Sequence, residues 1–149
     1  MLLRKGYVKT NQEAFDRYLA DNASASVERD EPELVEGVRR IRDGGGLASL
    51  AHPVRLPERD RASLEKLLRT LIDNGLQGLE VYHSEHSPED TALYKDLAAR
   101  FQLIATGGSD YHGDNKPAIR LGTGNGGNLH LHYSVLENMR RGVEEMTAR

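Results

Sequence analysis

The residues best suited to chemistry lie in one stretch, Leu103-Ile104-Ala105-Thr106-Gly107-Gly108-Ser109-Asp110-Tyr111-His112. An apolar run stops at two glycines, and a carboxylate and an imidazole follow two positions apart. Residues i and i+2 of extended chain project to the same side, so Asp110 and His112 are expected to converge on one ligand. Gly107 and Gly108 let backbone approach that ligand without a Cβ in the way. A second stretch, Leu47-Ala48-Ser49-Leu50-Ala51-His52-Pro53, is another apolar run ending in a histidine. Carboxylate and imidazole donors at strand ends are the chemistry of a divalent-metal site. Each motif also has a plain use. An Asp-x-His pair makes turns and local hydrogen bonds, and a histidine before proline closes a strand. Their joint occurrence, each after an apolar strand, is what points to metal.

Positioning such side chains takes a folded core, and the composition provides for one. The chain has 149 residues, 38% of them hydrophobic and 29% charged, with a net charge of -3. That is enough for one domain. It excludes nucleic-acid binding through bulk positive charge, while leaving room for a local basic pocket. There is no cysteine, hence no disulfide frame and no thiolate metal site. No apolar run nears the ~20 residues that span a bilayer, and the Met1-Leu2-Leu3-Arg4-Lys5 start is too short in apolar residues for a leader. A cytoplasmic protein without membrane contact is expected.

The pattern along the chain predicts which elements carry the motifs. Thr10 to Glu13 has the form of a capping box opening a short helix with Ala14, Phe15, Tyr18 and Leu19. Residues 20–31 predict a loop. Pro32 suits the first turn of a helix whose Leu34, Val38 and Ile41 share a face and which Gly44 to Gly46 stop. Leu47 to His52 predicts a strand. Leu64, Leu67, Leu68, Leu71 and Ile72 have helical spacing, and Leu79 to Tyr82 predicts a second strand. Ser87 as N-cap and Pro88 at N1 open a helix with Leu93, Leu97, Ala98 and Phe101 inward. Leu103 to Thr106 predicts a third strand.

Gly122 to Gly127 predicts an ordinary loop, because the P-loop context of strand, Lys-Ser/Thr and helix is missing. Leu129 and Leu131 alternate with His130 and His132, which predicts a short strand with outward imidazoles. Ser134 to Glu137 has the form of a second capping box. It opens a helix whose Leu136, Met139, Val143 and Met146 face inward.

Strand, helix, strand, helix, strand at this rhythm means parallel βαβ units. All three strand C-termini then fall at one rim, where α/β sheets and barrels bind ligands. His52, the stretch from Glu80 to His86, and Asp110 with His112 are delivered there together.

With these residues assembled, the chain resembles the PHP (polymerase and histidinol phosphatase) family. The resemblance is carried by Ala51-His52-Pro53 with Arg55, Gly78-Leu79-Glu80-Val81-Tyr82, His86-Ser87, and Gly107-Gly108-Ser109-Asp110-Tyr111-His112. It is nearest to small bacterial phosphoesterases of nucleoside phosphates and short RNA 5′ ends, down to the helical stretch from Gly6 to Leu19. The resemblance implies the C-terminal part of a distorted (β/α)7 barrel with parallel strands. Residues 1–46 would be a small helical insert and residues 47–149 the βα units of one domain. It implies divalent metal ions held by His52, Asp110 and His112, with Arg55 and His86 on the substrate phosphate. Glu80 and His83 would support the ligands from behind. Imidazole donors favour Mn, Fe or Zn over Mg or Ca.

The sequence departs from the family in one respect. The family opens on a His-x-His strand end, whereas the first histidine here is His52, and the one His-x-His, His130-Leu131-His132, follows the Asp-x-His motif. A two-metal phosphoesterase needs bridging carboxylates and several imidazoles to hold its ions roughly 3.5–4 Å apart. The expectation is therefore a truncated metal-dependent phosphoesterase of nucleotide or short-RNA phosphates, inactive or weak as a lone chain. It would associate as a homodimer or with a complementary N-terminal half. The alternative is a non-catalytic module, derived from a PHP domain, that binds a phosphate, a nucleotide or a partner protein.

Overall fold

The computed structural model describes residues 1–20, 23–27 and 31–147, with the side chains of the last helix described through residue 145. The chain divides into two units, Met1–Glu31 and Pro32–Arg149.

In the first unit, Thr10 caps helix α1, Asn11–Ala14, by accepting from the Glu13 N–H at 3.0 Å. The reciprocal bond runs from the N–H of Lys9, not Thr10, to the Glu13 carboxylate at 2.7 Å. A wider π turn, Phe15–Leu19, continues the helix. The loop predicted over 20–31 lies partly outside the described residues.

In the second unit, helix α2 spans Leu34–Asp43 behind Glu33 at the N-cap. Pro32 therefore precedes the cap and is not in the first turn. Of the face predicted for α2, only Val38 is buried, and Leu34 and Ile41 are exposed. Strand β1 follows, Ser49–Leu50, then helix α3, Arg61–Asp73, strand β2, Gly78–His83, helix α4, Pro88–Arg100, and strand β3, Ile104–Gly108. The three strands form one parallel sheet in the order β1-β2-β3. The predicted parallel βαβ rhythm is thus present, with β1 cut short. The strand expected over Leu47 to His52 ends because His52 turns into the left-handed region, φ 32°, and starts a 3-10 turn, Pro53–Arg55.

Burial explains the order of the elements. Leu64, Leu68 and Leu71 form the inner stripe of α3, and Tyr94, Leu97 and Ala98 that of α4. They share one core with Ala48, Leu50, Leu79, Val81 and Leu103 from the strand segments. Each fully buried aliphatic side chain contributes about 1.5–3 kcal/mol. Asp60 caps α3, and Ser87 with Asp90 forms a complete capping box on α4, with Pro88 at the first turn.

Beyond the sheet the structure departs further from the sequence pattern. Gly122 to Gly127 is part of a small antiparallel hairpin of β4, Ile119–Arg120, and β5, Gly124–Asn125. Residues 129–132 form no strand. Their alternation survives in burial alone, with Leu129 buried and His130 and His132 exposed. Helix α5, Ser134–Thr147, starts on Ser134 itself. The predicted capping box does not form, and the Ser134 N–H donates instead to the His132 ring at 3.2 Å. Leu136 is exposed rather than inward, and the Met146 side chain lies outside the described residues. No described helix is long and apolar enough to cross a membrane.

Candidate functional site

The C-terminal ends of β2 and β3 are bound together by buried polar contacts. The Ser84 hydroxyl donates to the Ser109 carbonyl at 2.9 Å, and Asn128 Nδ2 donates to the Ser84 carbonyl at 2.8 Å. The Gly122 N–H donates to Ser109 Oγ at 3.2 Å. Gly124 closes the arrangement, since an added Cβ would stand 2.5 Å from Asn128 Oδ1 and 2.9 Å from Ser84 Cβ. The hairpin therefore packs under the rim and fixes the loop that leaves β3.

Asp110 is the first residue of that loop to point into the site. Its φ of 56° is left-handed. The extended-chain argument for Asp110 and His112 thus fails locally, but the two side chains still meet: His112 Nε2 lies 3.0 Å from Asp110 Oδ1. The other oxygen, Oδ2, accepts from Arg55 Nη2 at 2.7 Å and from Lys116 Nζ. Arg55 also grips Glu85 with two bonds, Nε to Oε2 at 2.9 Å and Nη2 to Oε1 at 2.6 Å. Two guanidinium–carboxylate contacts and one ammonium–carboxylate contact thus make a neutral cluster of two cations and two anions.

The charges of the cluster are locked. Partial burial of Asp110 would raise its pKa. The bonds from Lys116, Arg55 and His112 outweigh this and hold the carboxyl well below the usual carboxylate range. The bond to Glu85, followed by that to Asp110, raises the Arg55 pKa against the opposing effect of burial. Arg55 in turn lowers Glu85.

Behind the cluster stands a row of rings. The His83 side chain is fully buried. The Glu85 N–H donates to His83 Nδ1 at 3.1 Å, so the ring proton of the neutral form belongs on Nε2. That Nε2 lies 4.0 Å from Asp110 Oδ2 and has no hydrogen-bond partner. Burial is the main cause lowering the His83 pKa, which keeps the ring neutral. The His52 and His86 rings flank it, with centroids at 6.0 and 5.1 Å, and His86 packs on Tyr94 at 4.8 Å. His86 is not turned toward Arg55. Its Nδ1 donates to the Val81 carbonyl at 3.0 Å, and its Nε2 is buried without a partner. Glu80 bonds to the backbone N–H of His52, not to its imidazole.

Of the residues expected at the rim, Arg55, His83, Asp110 and His112 meet around one carboxylate. His52 joins only through its ring contact with His83, and His86 lies one ring further back. Sequence reasoning missed Lys116 and Glu85. Lys116 sits in Asp114-Asn115-Lys116-Pro117, which has no periodicity to flag it. Glu85 was visible only as a carboxylate between two histidines.

The donor types suit a transition metal, but their arrangement does not. Among the described residues, no three His, Cys, Asp or Glu side chains are gathered to hold an ion. Asp110 is saturated by cationic and imidazole donors, and His83 carries its proton on the nitrogen that faces Asp110. In this arrangement Asp110 is occupied by Arg55, Lys116 and His112.

No family model matches the chain. It is 45% identical, over 78 residues, to phosphoribosyl 1,2-cyclic phosphate 1,2-diphosphodiesterase of Eggerthella lenta, covering 52% of this chain and 28% of that protein. It is 33% identical, over 111 residues, to 3′,5′-nucleoside bisphosphate phosphatase of Chromobacterium violaceum, covering 74% of this chain and 39% of that protein. Its fold is similar to a crystal structure described as a candidate metal-dependent phosphoesterase of Bifidobacterium adolescentis. The TM-score is 0.71 at 29% identity, over 93% of this chain and 46% of the other. A sulfate-bound, metal-free amidohydrolase of Chromobacterium violaceum gives a TM-score of 0.68 at 28% identity, over 97% and 48%. The chain thus spans less than half the length of each of these proteins. These similarities support a PHP-type family for the chain, and its α/β fold is like that of the structural neighbours.

Proposed function

We propose that this chain forms the phosphate-binding rim of a PHP-type, metal-dependent phosphoesterase acting on phosphate esters of nucleotides or short RNA. One observation carries the proposal: Asp110 lies where Arg55, Lys116, His112 and His83 converge at the ends of parallel strands. The phosphoester chemistry named for the relatives supports it, as does the sulfate in one structural neighbour. The parallel sheet is read as part of a (β/α)7 barrel. Arg55 orients the phosphate, His86 backs the ring row, and His52, Asp110 and His112 are the side chains available to Mn, Fe or Zn.

These residues alone do not make a complete ligand set, so the lone chain is expected to hydrolyse little. Further imidazoles would come from a second copy or from a complementary half carrying His-x-His. The Arg55 and Lys116 pairing of Asp110 favours one second reading, a phosphate-binding module without turnover.

The test is hydrolysis of nucleoside phosphates with added Mn²⁺, on the chain and on its His52→Ala and Asp110→Ala variants. Near-background turnover is expected for the chain alone, rising when a complementary half is added and abolished by either substitution. If the added half restores nothing, or if both variants match the parent, the phosphoesterase proposal is wrong.

A further inference from the structure

Building on the phosphate-ester assignment, we propose that Lys116 is a phosphate-contacting, specificity-determining residue. Together with Arg55 and His83, it would select a phosphate monoester dianion over a diester monoanion.

The donors can be counted. Lys116 has three N–H groups and gives one to Asp110 Oδ2. Arg55 commits Nε and Nη2 to Glu85 and Asp110, and its Nη1 bonds nothing among the described residues. His83 Nε2–H, fully buried, faces the same carboxylate oxygen from 4.0 Å and has no partner. Three groups therefore keep unused donors around one point, and none must break an existing bond to use them. Two cationic nitrogens that share one acceptor oxygen are close enough to take two oxygens of one phosphate.

Charge selects the ligand. Asp110 and Glu85 already balance Arg55 and Lys116 in the free site, so binding is driven by the spare hydrogen bonds, those from Arg55 and Lys116 strengthened by the formal charge on the donor. A dianion with three terminal oxygens can use all of them. A diester has two terminal oxygens and one charge, so it offers fewer acceptor sites and weaker charge-assisted bonds. Lys116 is two-thirds covered, with 33% of its side chain exposed, so its contact is less screened than that of a surface lysine.

The test is calorimetric titration at about pH 8, where phosphate is a dianion, with inorganic phosphate and with dimethyl phosphate as probes. The parent chain is expected to bind phosphate more tightly than dimethyl phosphate. Lys116→Met should weaken phosphate binding about tenfold or more and remove the preference. Lys116→Arg should keep it within about threefold. Lys116→Gln replaces the methionine variant if that one fails to fold, as judged by circular dichroism. Equal phosphate affinity in parent and Lys116→Met overturns the proposal. So does equal binding of the two probes by the parent, or binding of neither. Phosphate binding that depends on Lys116, without turnover when a complementary half is supplied, would sink the phosphoesterase assignment alone. Restored turnover with Lys116-independent phosphate affinity would sink this inference alone.

Discussion

The backbone N–H of His52 donates to Oε2 of Glu80, so a carboxylate in the middle of β2 holds the residue that ends β1. His52 leaves the strand in a left-handed conformation, φ 32°, which is unfavourable for a residue with a Cβ. Glu80 supplies the compensating contact. It aims His52 at His83 and lets the chain turn toward Arg55.

Glu80→Ala is therefore expected to destabilise the fold by about 1–3 kcal/mol, the range for losing a hydrogen bond to a charged acceptor. It should also loosen the 52–55 turn. Glu80→Gln retains an acceptor and should lose less. Urea denaturation measures both, and an unchanged midpoint in Glu80→Ala would show that the bond does not hold the turn.

Gly107 faces Tyr82 across the β2–β3 pairing. A Cβ there would stand 2.7 Å from both Tyr82 Cβ and the Tyr82 carbonyl oxygen, and 2.8 Å from Leu131 Cδ2. The carbonyl belongs to a strand and cannot move aside. At Gly108 the nearest atom is Glu80 Oε1, at 3.4 Å. Gly107→Ala is expected to cost about 1–3 kcal/mol and to lower the melting temperature by about 2–4 °C for each kcal/mol. Gly108→Ala should be close to neutral. Equal melting temperatures for the two variants would contradict this packing.

The contrast between the two glycines marks where the sequence was legible. The three parallel strands could be read because their apolar runs and the α3 and α4 stripes repeat at the periods that burial imposes. The Ser87-Pro88 start of α4 could be read because capping is local chemistry. The turn at His52 and the left-handed Asp110 could not, since neither follows a local period and the contacts they make, Glu80 for one and Arg55 with Lys116 for the other, come from the folded chain. Lys116 was invisible for the same reason: a lone lysine acquires a role only when the loop after β3 folds back onto Asp110. The 129–132 alternation misled because Leu129 and Leu131 turn inward with no neighbouring strand to pair with. Ser134 then became the first helical residue, its N–H bonded to the His132 ring.

The α4 capping box gives a pH dependence that is independent of any ligand. Asp90 Oδ2 accepts from the Ser87 N–H at 3.0 Å and from the Ser87 hydroxyl at 2.9 Å, and the Asp90 N–H donates to Ser87 Oγ at 3.0 Å. Burial, the largest single influence, pushes the Asp90 pKa up. The two Ser87 bonds, with the nearby charges of His86 and Arg59, outweigh it and leave the pKa lowered. A carboxyl with a lowered folded pKa binds fewer protons folded than unfolded. Its stabilisation is complete above the ordinary value of about 3.9 and is lost as pH falls from there through the folded value. Asp90→Asn keeps an acceptor for the Ser87 N–H but cannot titrate. Its stability should therefore fall less steeply between about pH 5 and pH 3 than that of the parent. Ser87→Ala, by contrast, removes the cap and should cost about 1 kcal/mol at neutral pH. Urea midpoints measured across that range check both effects, and parallel pH profiles for parent and Asp90→Asn would show that Asp90 contributes nothing to the acid limb.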